Sequence, residues 1–427
     1  MDVAPSTAPN DDPAGAASAE RERILDRTAE LALRIGVGLE ADRRLLVRAP
    51  LEAAPLARRI VRAAYRTGAP YVHVAWSDER VARIRFLEAP EGSFEELPPL
   101  HAEAMETMAE RGWAFVAIDA SDPELLVDAD PARVATARAA ASRALAGYRR
   151  HVMANRAPWT IVAAPTPAWA GQVFPEAPAA EAVDRLWAAI ATATRLDEED
   201  PIAAWSTHLD ALAVRTRYLN DRRYRALRFT GPGTDLTVGL ADGHLWNGGA
   251  GRTPDGTSFV PNLPTEEVFT APHRERTDGV VRASRPLYHG GRRIDRFELR
   301  FERGVCVSAR AEVGQEVLDR LLDTDEGARR LGEVALVPVG GPIERSGTIF
   351  RNTLFDENAA SHLAFGQAYR FCLDADGEDD AAVRARGANE SLMHADFMIG
   401  HAAVDVDGVA ESGDSEPLMR EGRFVLS

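Results

Sequence analysis

The sequence predicts a mixed protein in two parts. An N-terminal α/β layer with a mostly parallel sheet comes first, and a mainly antiparallel β part with helices follows. Three observations lead there. The chain has 427 residues, more than one hydrophobic core ordinarily serves. Up to about residue 220, strand-type and helix-type patterns alternate, as in parallel sheets covered on both faces. Beyond that point the texture changes to short β-type runs broken by turn signals. The expected division is a disordered tail over 1–18, an α/β domain over 19–220 and a catalytic domain over 221–427.

Within the first part, Ile24, Thr28, Leu31 and Ile35 fall at helical spacing, with Gly36 as a C-cap. "RLLVRAP" reads as a buried strand, followed by a helix over 51–67 and the strand "YVHVAW". A helix over 98–111 leads into "WAFVAI" (113–118), and an alanine-rich helix over 131–154 into "WTIVAAP" (159–165). A dinucleotide fingerprint would place G-x-G-x-x-G between a strand and a helix. Gly36 and Gly38 instead follow a helix, and the third glycine is missing. In the second part, Gly-Pro-Gly (231–233) and Asp-Gly (242–243) mark turns, and "RFELRF" alternates as a strand with one wet face.

Composition narrows the function. A hydrophobic fraction of 45% and a charged fraction of 27% are those of an ordinary globular protein. No apolar run reaches the ~20 residues that span a bilayer, and the N-terminus lacks the basic and apolar regions of a signal peptide. Only Cys306 and Cys372 are present, so neither a disulfide framework nor a cysteine zinc site is expected, and a cytoplasmic setting is the default. The net charge of −16 weighs against nucleic-acid backbones as partners. All 50 basic residues are arginine. The absence of lysine excludes a Walker lysine, a Schiff base and any lysine acid or base.

Four stretches of the second part set carboxylates or histidines against apolar surroundings. In "NLPTEEVFTAP", Glu266 and Glu267 are adjacent, so on an extended chain at most one readily faces an interior site. In "LGEVALVPVG", Glu333 opens a strongly apolar strand, as a solvated end-cap or as a ligand presented on a rigid element. In "TLFDENAASHLAFGQAY", Asp356 reads as an N-cap. The residues after it read as a helix carrying Asn358, His362, Gly366 and Tyr369 on one face. In "SLMHADFMIG", an extended chain turns His394 and Asp396 the same way. Carboxylates and imidazoles of this kind can hold a pair of divalent ions that activate water for hydrolysis. No HExxH motif is present, which disfavours a single-zinc thermolysin-like site.

Taken in order, "NLPTEEVFTAPHR", "LGEVALVPVGGPI", "TLFDENAASHLAFGQAY" and "NESLMHADFMIG" closely resemble the thermophilic-type metallo-aminopeptidases, the aminopeptidase T and aminopeptidase S group. The likeness covers most of 225–427 and, more weakly, the α/β part. It implies a two-metal exopeptidase that removes N-terminal residues from peptides, usually as a homodimer. It further implies Glu267, Glu333, His362, His394 and Asp396 as metal ligands, with Tyr369 at the metal site as ligand or oxyanion donor. Glu266 is the candidate general base, reaching the bound water from behind the ligands. The ions would be Zn, Co, Mn or Mg. Phe365 departs from the leucine expected in that motif, and 373–388 is an unusually acidic stretch, read as a solvated loop. A non-catalytic peptide- or metal-binding protein, or a related amide hydrolase with a specialised substrate, is the competing reading.

Overall fold

A computed structural model describes residues 13–426 apart from Ser121, Gly290, Gly291 and residues 376–378, with side chains from residue 18. Most of the segment expected as a tail, residues 1–12, lies outside the described residues. From Pro13 the chain is already helical, through Leu31, and one π-turn, Ala32–Gly36, continues it. Gly36 is therefore not the C-cap. It is small because a Cβ there would stand 2.7 Å from Thr160, where the helix end crosses a strand.

Four parallel strands follow: Leu45–Pro50, Val72–Ser77, Ala114–Asp119 and Trp159–Ala163. In sheet order the second strand lies outermost beside the first, and the third and fourth follow on the other side. Leu45, Val47, Val116 and Val162 are buried in one core with Ile60 and Trp205. The sequence placed these strands to within two residues, because continuous apolar runs mark strands buried on both faces. The expected helix over 131–154 is broken at Leu145 into Pro131–Ala144 and Ala146–Met153.

The helix Pro201–Arg222 connects this layer to the antiparallel part. Asp200 caps it by accepting from the amides of Ile202 and Ala203, and Arg223 ends it in left-handed conformation. Beyond it, nine strands between Ala226 and Phe424 make one antiparallel sheet. A separate antiparallel sheet carries the four stretches singled out in the sequence. Its order is His394–Met398, His362–Gly366, Leu331–Leu336, Val268–Thr270.

The segment after Asp356 corrects an expectation. Asn352, not Asp356, caps the short helix Thr353–Asp356, a single 3-10 turn spans Glu357–Ala359, and His362–Gly366 is a strand. The helix face expected to join Asn358, His362, Gly366 and Tyr369 does not exist. Tertiary pairing overrode alanine-rich helix propensity, because this strand is hydrogen-bonded on both edges, to the Glu333 strand and to the His394 strand. Gly366 sits opposite His394 with φ +96°, and a Cβ there would lie 2.1 Å from the Met393 carbonyl oxygen. Phe365 fills the core on the opposite face, with ring centroids 4.9 Å from Phe397 and 6.0 Å from Phe301. Within the acidic stretch 373–388, Asp380–Ala385 forms a short helix capped by Asp379, while residues 376–378 lie outside the described residues.

The two parts meet near the third stretch. Trp169, Leu186 and Ile190 share a core with Ile343, Phe350 and Phe355, and the Trp169 indole donates to the Phe350 carbonyl at 2.6 Å. This contact seats the 3-10 turn that carries Glu357.

Candidate metal centre

Register builds the site. Ala364 pairs with Glu333 on one side and Asp396 on the other, and His394 lies opposite Gly366. Residues directly opposite on paired strands share a face, as do residues two apart. Glu333, His362, His394 and Asp396 therefore project from one face, with Ala364 leaving space between the two acids. Val334, Leu363, Phe365 and Phe397 point the other way into the core. Glu267 arrives from the residue just before the edge strand Val268–Thr270.

Two overlapping triads result, each able to offer one ligand atom per residue within 4.8 Å: Glu267, Glu333 and His362, and Glu333, His394 and Asp396. His362 Nε2 lies 3.0 Å from Glu267 Oε2 and 3.5 Å from Glu333 Oε1. His394 Nε2 lies 3.6 Å from Glu333 Oε2 and 3.2 Å from Asp396 Oδ1. Glu333 thus gives one oxygen to each triad. Behind the ring, His362 Nδ1 faces the Ala360 carbonyl at 3.1 Å, and His394 Nδ1 faces the Gln367 carbonyl at 2.8 Å. A carbonyl only accepts, so each Nδ1 carries hydrogen and Nε2 is the atom presented to the carboxylates.

The electrostatics are those of a site built around positive charge. Burial pushes the Glu333 carboxyl up to about 7, with the negative charges of Glu267 and Asp396 adding to it. Burial would depress the imidazoles, yet Glu267 and Glu333 hold His362 well above its ordinary value, and Asp396 holds His394 up at about 9. Burial would raise Asp396, but His394 keeps it below the usual carboxylate value. Glu267 Oε2 is buried with His362 Nε2 at 3.0 Å; when that imidazole is neutral with its hydrogen on Nδ1, Nε2 brings the oxygen no donor. An orphaned buried carboxylate oxygen is costly unless a cation meets it. Carboxylate oxygens with two imidazole nitrogens suit divalent ions, and the residues present fit such ions.

A cavity of about 190 Å³ opens over the cluster, lined by Glu267, Glu333, Glu357, Tyr369, His394 and Asp396 on the catalytic side. Phe269 and Phe371 bound it, and the α/β part closes the opposite wall with Val152, Met153 and Trp159. The Tyr369 ring stands 4.8 Å from that of His394. Burial, reinforced by Glu333 and Asp396, keeps its phenol well above the ordinary value, so it is a hydrogen-bond donor to the cavity.

The structure brings Glu267, Glu333, His362, His394 and Asp396 together with Tyr369 beside them. Glu266 is elsewhere. Its two oxygens are held by Arg195 at 2.6 and 2.9 Å, and it is not among the residues that line the cavity, unlike the position expected of a general base. The acid that does reach the cavity is Glu357, which was not singled out in the sequence. Burial, Asp396 and Glu267 raise its carboxyl well above the ordinary value. Its sequence signal is an acid directly beside Asn358 in the third stretch, which a helical reading of that stretch hides.

Comparison with known proteins agrees with this geometry. The family described as thermophilic metalloprotease (M29) matches residues 21–424. Aminopeptidase 2 of Geobacillus stearothermophilus is 50% identical over 406 residues, 95% of this chain and 98% of its own. Aminopeptidase T of Thermus thermophilus is 52% identical over 405 residues, 95% of this chain and 99% of its own. The solved structure of wild-type AmpT from Thermus thermophilus superimposes with a TM-score of 0.89 at 51% identity, covering 95% of this chain and 99% of that one. A carboxylate–imidazole centre in a cavity and near end-to-end likeness to these enzymes have one explanation: the chain is a metal-dependent aminopeptidase and belongs to the thermophilic metalloprotease (M29) family.

Proposed function

We propose that the enzyme works with two divalent ions that share Glu333. One is held by Glu267, Glu333 and His362, the other by Glu333, His394 and Asp396. The observation that carries this reading is the split of the Glu333 carboxylate, one oxygen toward each histidine. Zn, Co, Mn and Mg all remain compatible with this donor set.

Divalent ions in these places would supply a Lewis acid toward the scissile carbonyl and a water acidic enough to ionise near neutral pH. Glu357 is the group positioned to take a proton from that water and return it to the departing amine. Burial, Asp396 and Glu267 raise its carboxyl against the opposing effect of His362, and divalent positive charge in the cluster would lower it again, toward the range of a base that works near neutral pH. Tyr369 donates to the carbonyl oxygen as negative charge gathers there. The walls formed by Val152, Met153, Trp159, Phe269 and Phe371 take the side chain of the first residue and exclude water. The surplus of carboxylates favours a substrate's free amino terminus.

The reading extends to a cytoplasmic homodimer acting on peptides, with an α/β part over 19–220 and a catalytic part over 221–427. Cys306 and Cys372, both buried as free thiols, support a reducing compartment. The end of the helix Pro201–Arg222 supports the division. Among the described residues no helix is long and apolar enough to cross a membrane. The homodimer rests on the family resemblance.

The test is hydrolysis of aminoacyl-anilides and short peptides before and after chelation, then with each metal restored. Activity lost on chelation and regained with a divalent ion is expected. Full activity in protein stripped of metal would overturn the reading.

A further inference from the structure

We propose that Arg195 is a positioning residue for the metal centre: by holding Glu266 out of the cluster, it fixes Glu267 in it. The proposal rests on the reading of Glu267 as a ligand and concerns what places that ligand.

Glu267 lies just outside the edge strand, which begins at Val268. No sheet ladder therefore fixes the rotation of the chain at Glu267. What holds the preceding residues is a set of buried polar contacts. The Thr265 carbonyl accepts from His208 Nε2 at 2.8 Å, and the Glu266 amide donates to Asn358 Oδ1 at 2.7 Å. The Glu266 carboxylate takes both arms of the Arg195 guanidinium. Because consecutive side chains on an extended segment point to opposite sides, only one of the two acids faces the cluster, and with Glu266 on the Arg195 side that acid is Glu267.

Arg195 is itself held in place. It sits between the helices Ala179–Ala193 and Pro201–Arg222, in left-handed conformation with φ +58°, which costs a non-glycine residue. Its guanidinium lies 5.3 Å over the Trp205 ring. It also meets His208 Nδ1 at 3.2 Å. Since His208 Nε2 must donate to the Thr265 carbonyl, Nδ1 is a bare acceptor for the arginine. The planar fork thus has a fixed seat and a bidentate partner, a geometry lysine does not reproduce.

The need for this device follows from the pair of acids. Glu266 is buried, 4% exposed, and a buried carboxylate without a partner seeks the nearest positive charge. His208 Nε2 stands 3.7 Å from one of the Glu266 oxygens and Arg215 acts on it electrostatically, but neither grips it with two hydrogen bonds, and the metal centre lies one residue away at Glu267. Arg195 gives Glu266 a competing cation, supplied by the α/β part of the chain.

The experiment is a Co²⁺ titration of metal-stripped protein, read by visible absorption and by calorimetry, with melting temperature as a check on folding. Arg195→Met is expected to weaken Co²⁺ binding by roughly 10-fold or more, as loss of supports behind metal ligands does, and to change the absorption of the bound ion. Arg195→Met combined with Glu266→Gln is expected to recover most of that loss, because the competing acid is gone. Arg195→Met binding Co²⁺ like the parent, or a double variant no tighter than the single one, would overturn the proposal. Glu266→Gln alone, which needs no folded Arg195 variant, is expected to stay within about 3-fold of the parent, and a loss as large as that of Glu267→Gln would overturn it. If Glu267→Gln itself binds Co²⁺ like the parent, the metal-centre reading fails instead.

Discussion

Glu333 places one carboxylate oxygen 3.5 Å from His362 Nε2 and the other 3.6 Å from His394 Nε2, so a single buried side chain belongs to both triads. Its burial is costly without cations and useful with them, and the sign of its contribution therefore depends on metal. Glu333→Gln is expected to melt at or above the parent's temperature when both are stripped of metal, since it removes a carboxyl pushed up to about 7. With saturating metal it is expected to melt below the parent and to lose at least ~100-fold in activity, more than outer-shell substitutions cost. Melting curves with and without chelator check the crossing.

Tyr369 stays protonated beside the cluster, so its contribution is a hydrogen bond rather than a charge. Tyr369→Phe is expected to lower kcat by ~10²–10³, the usual cost of an oxyanion donor, with KM changed only a few-fold. Metal content measured on the same preparation should equal the parent's; loss of an ion would make Tyr369 a ligand.

Asp356 accepts from the amides of Phe350 at 2.8 Å and Asn352 at 3.0 Å, yet burial still pushes its carboxyl up to about 6. A raised acid binds more protons in the folded than in the unfolded state between its two pKa values. Its stabilising contribution is full below about 3.8 and is lost as pH rises to about 6. The melting temperature of the parent relative to Asp356→Asn, measured without metal, should therefore fall between pH 4 and 6 and level off above. A rise over that interval would contradict the assignment.

Cys306 and Cys372 are both buried, and burial pushes Cys306 up to about 11 and Cys372 well above its usual value. Little thiolate is available at pH 8. Neither should be alkylated by iodoacetamide in the folded protein, and both should react once it is unfolded in denaturant, as mass spectrometry would show.

The alternation of the α/β half was legible because its strands are continuous apolar runs between recognisable helices, and the residues of the centre were legible as residue types in ordered motifs. The segment from Asp356 was not. His362 and Gly366 are four apart, a spacing that places two residues on one face of a helix and equally of a strand. Alanines on both sides favour helix by intrinsic propensity. A strand paired on both edges and buried on both faces shows no alternation to correct it. The choice between Glu266 and Glu267 needed the partner that holds the other acid, and Arg195 is 71 residues away in sequence. Glu357 depends on the same missing information, since the turn that carries it packs through Ala359 into the core that Phe350 and Phe355 share with Trp169.

The most direct measurement is the metal content of the purified enzyme and of Glu333→Ala, by elemental analysis alongside hydrolysis of an aminoacyl-anilide. Two ions per chain in the parent, with both depleted and activity lost in the variant, is the expected result. A parent fully active with one ion, or a Glu333→Ala protein that keeps two, would contradict a centre shared through Glu333.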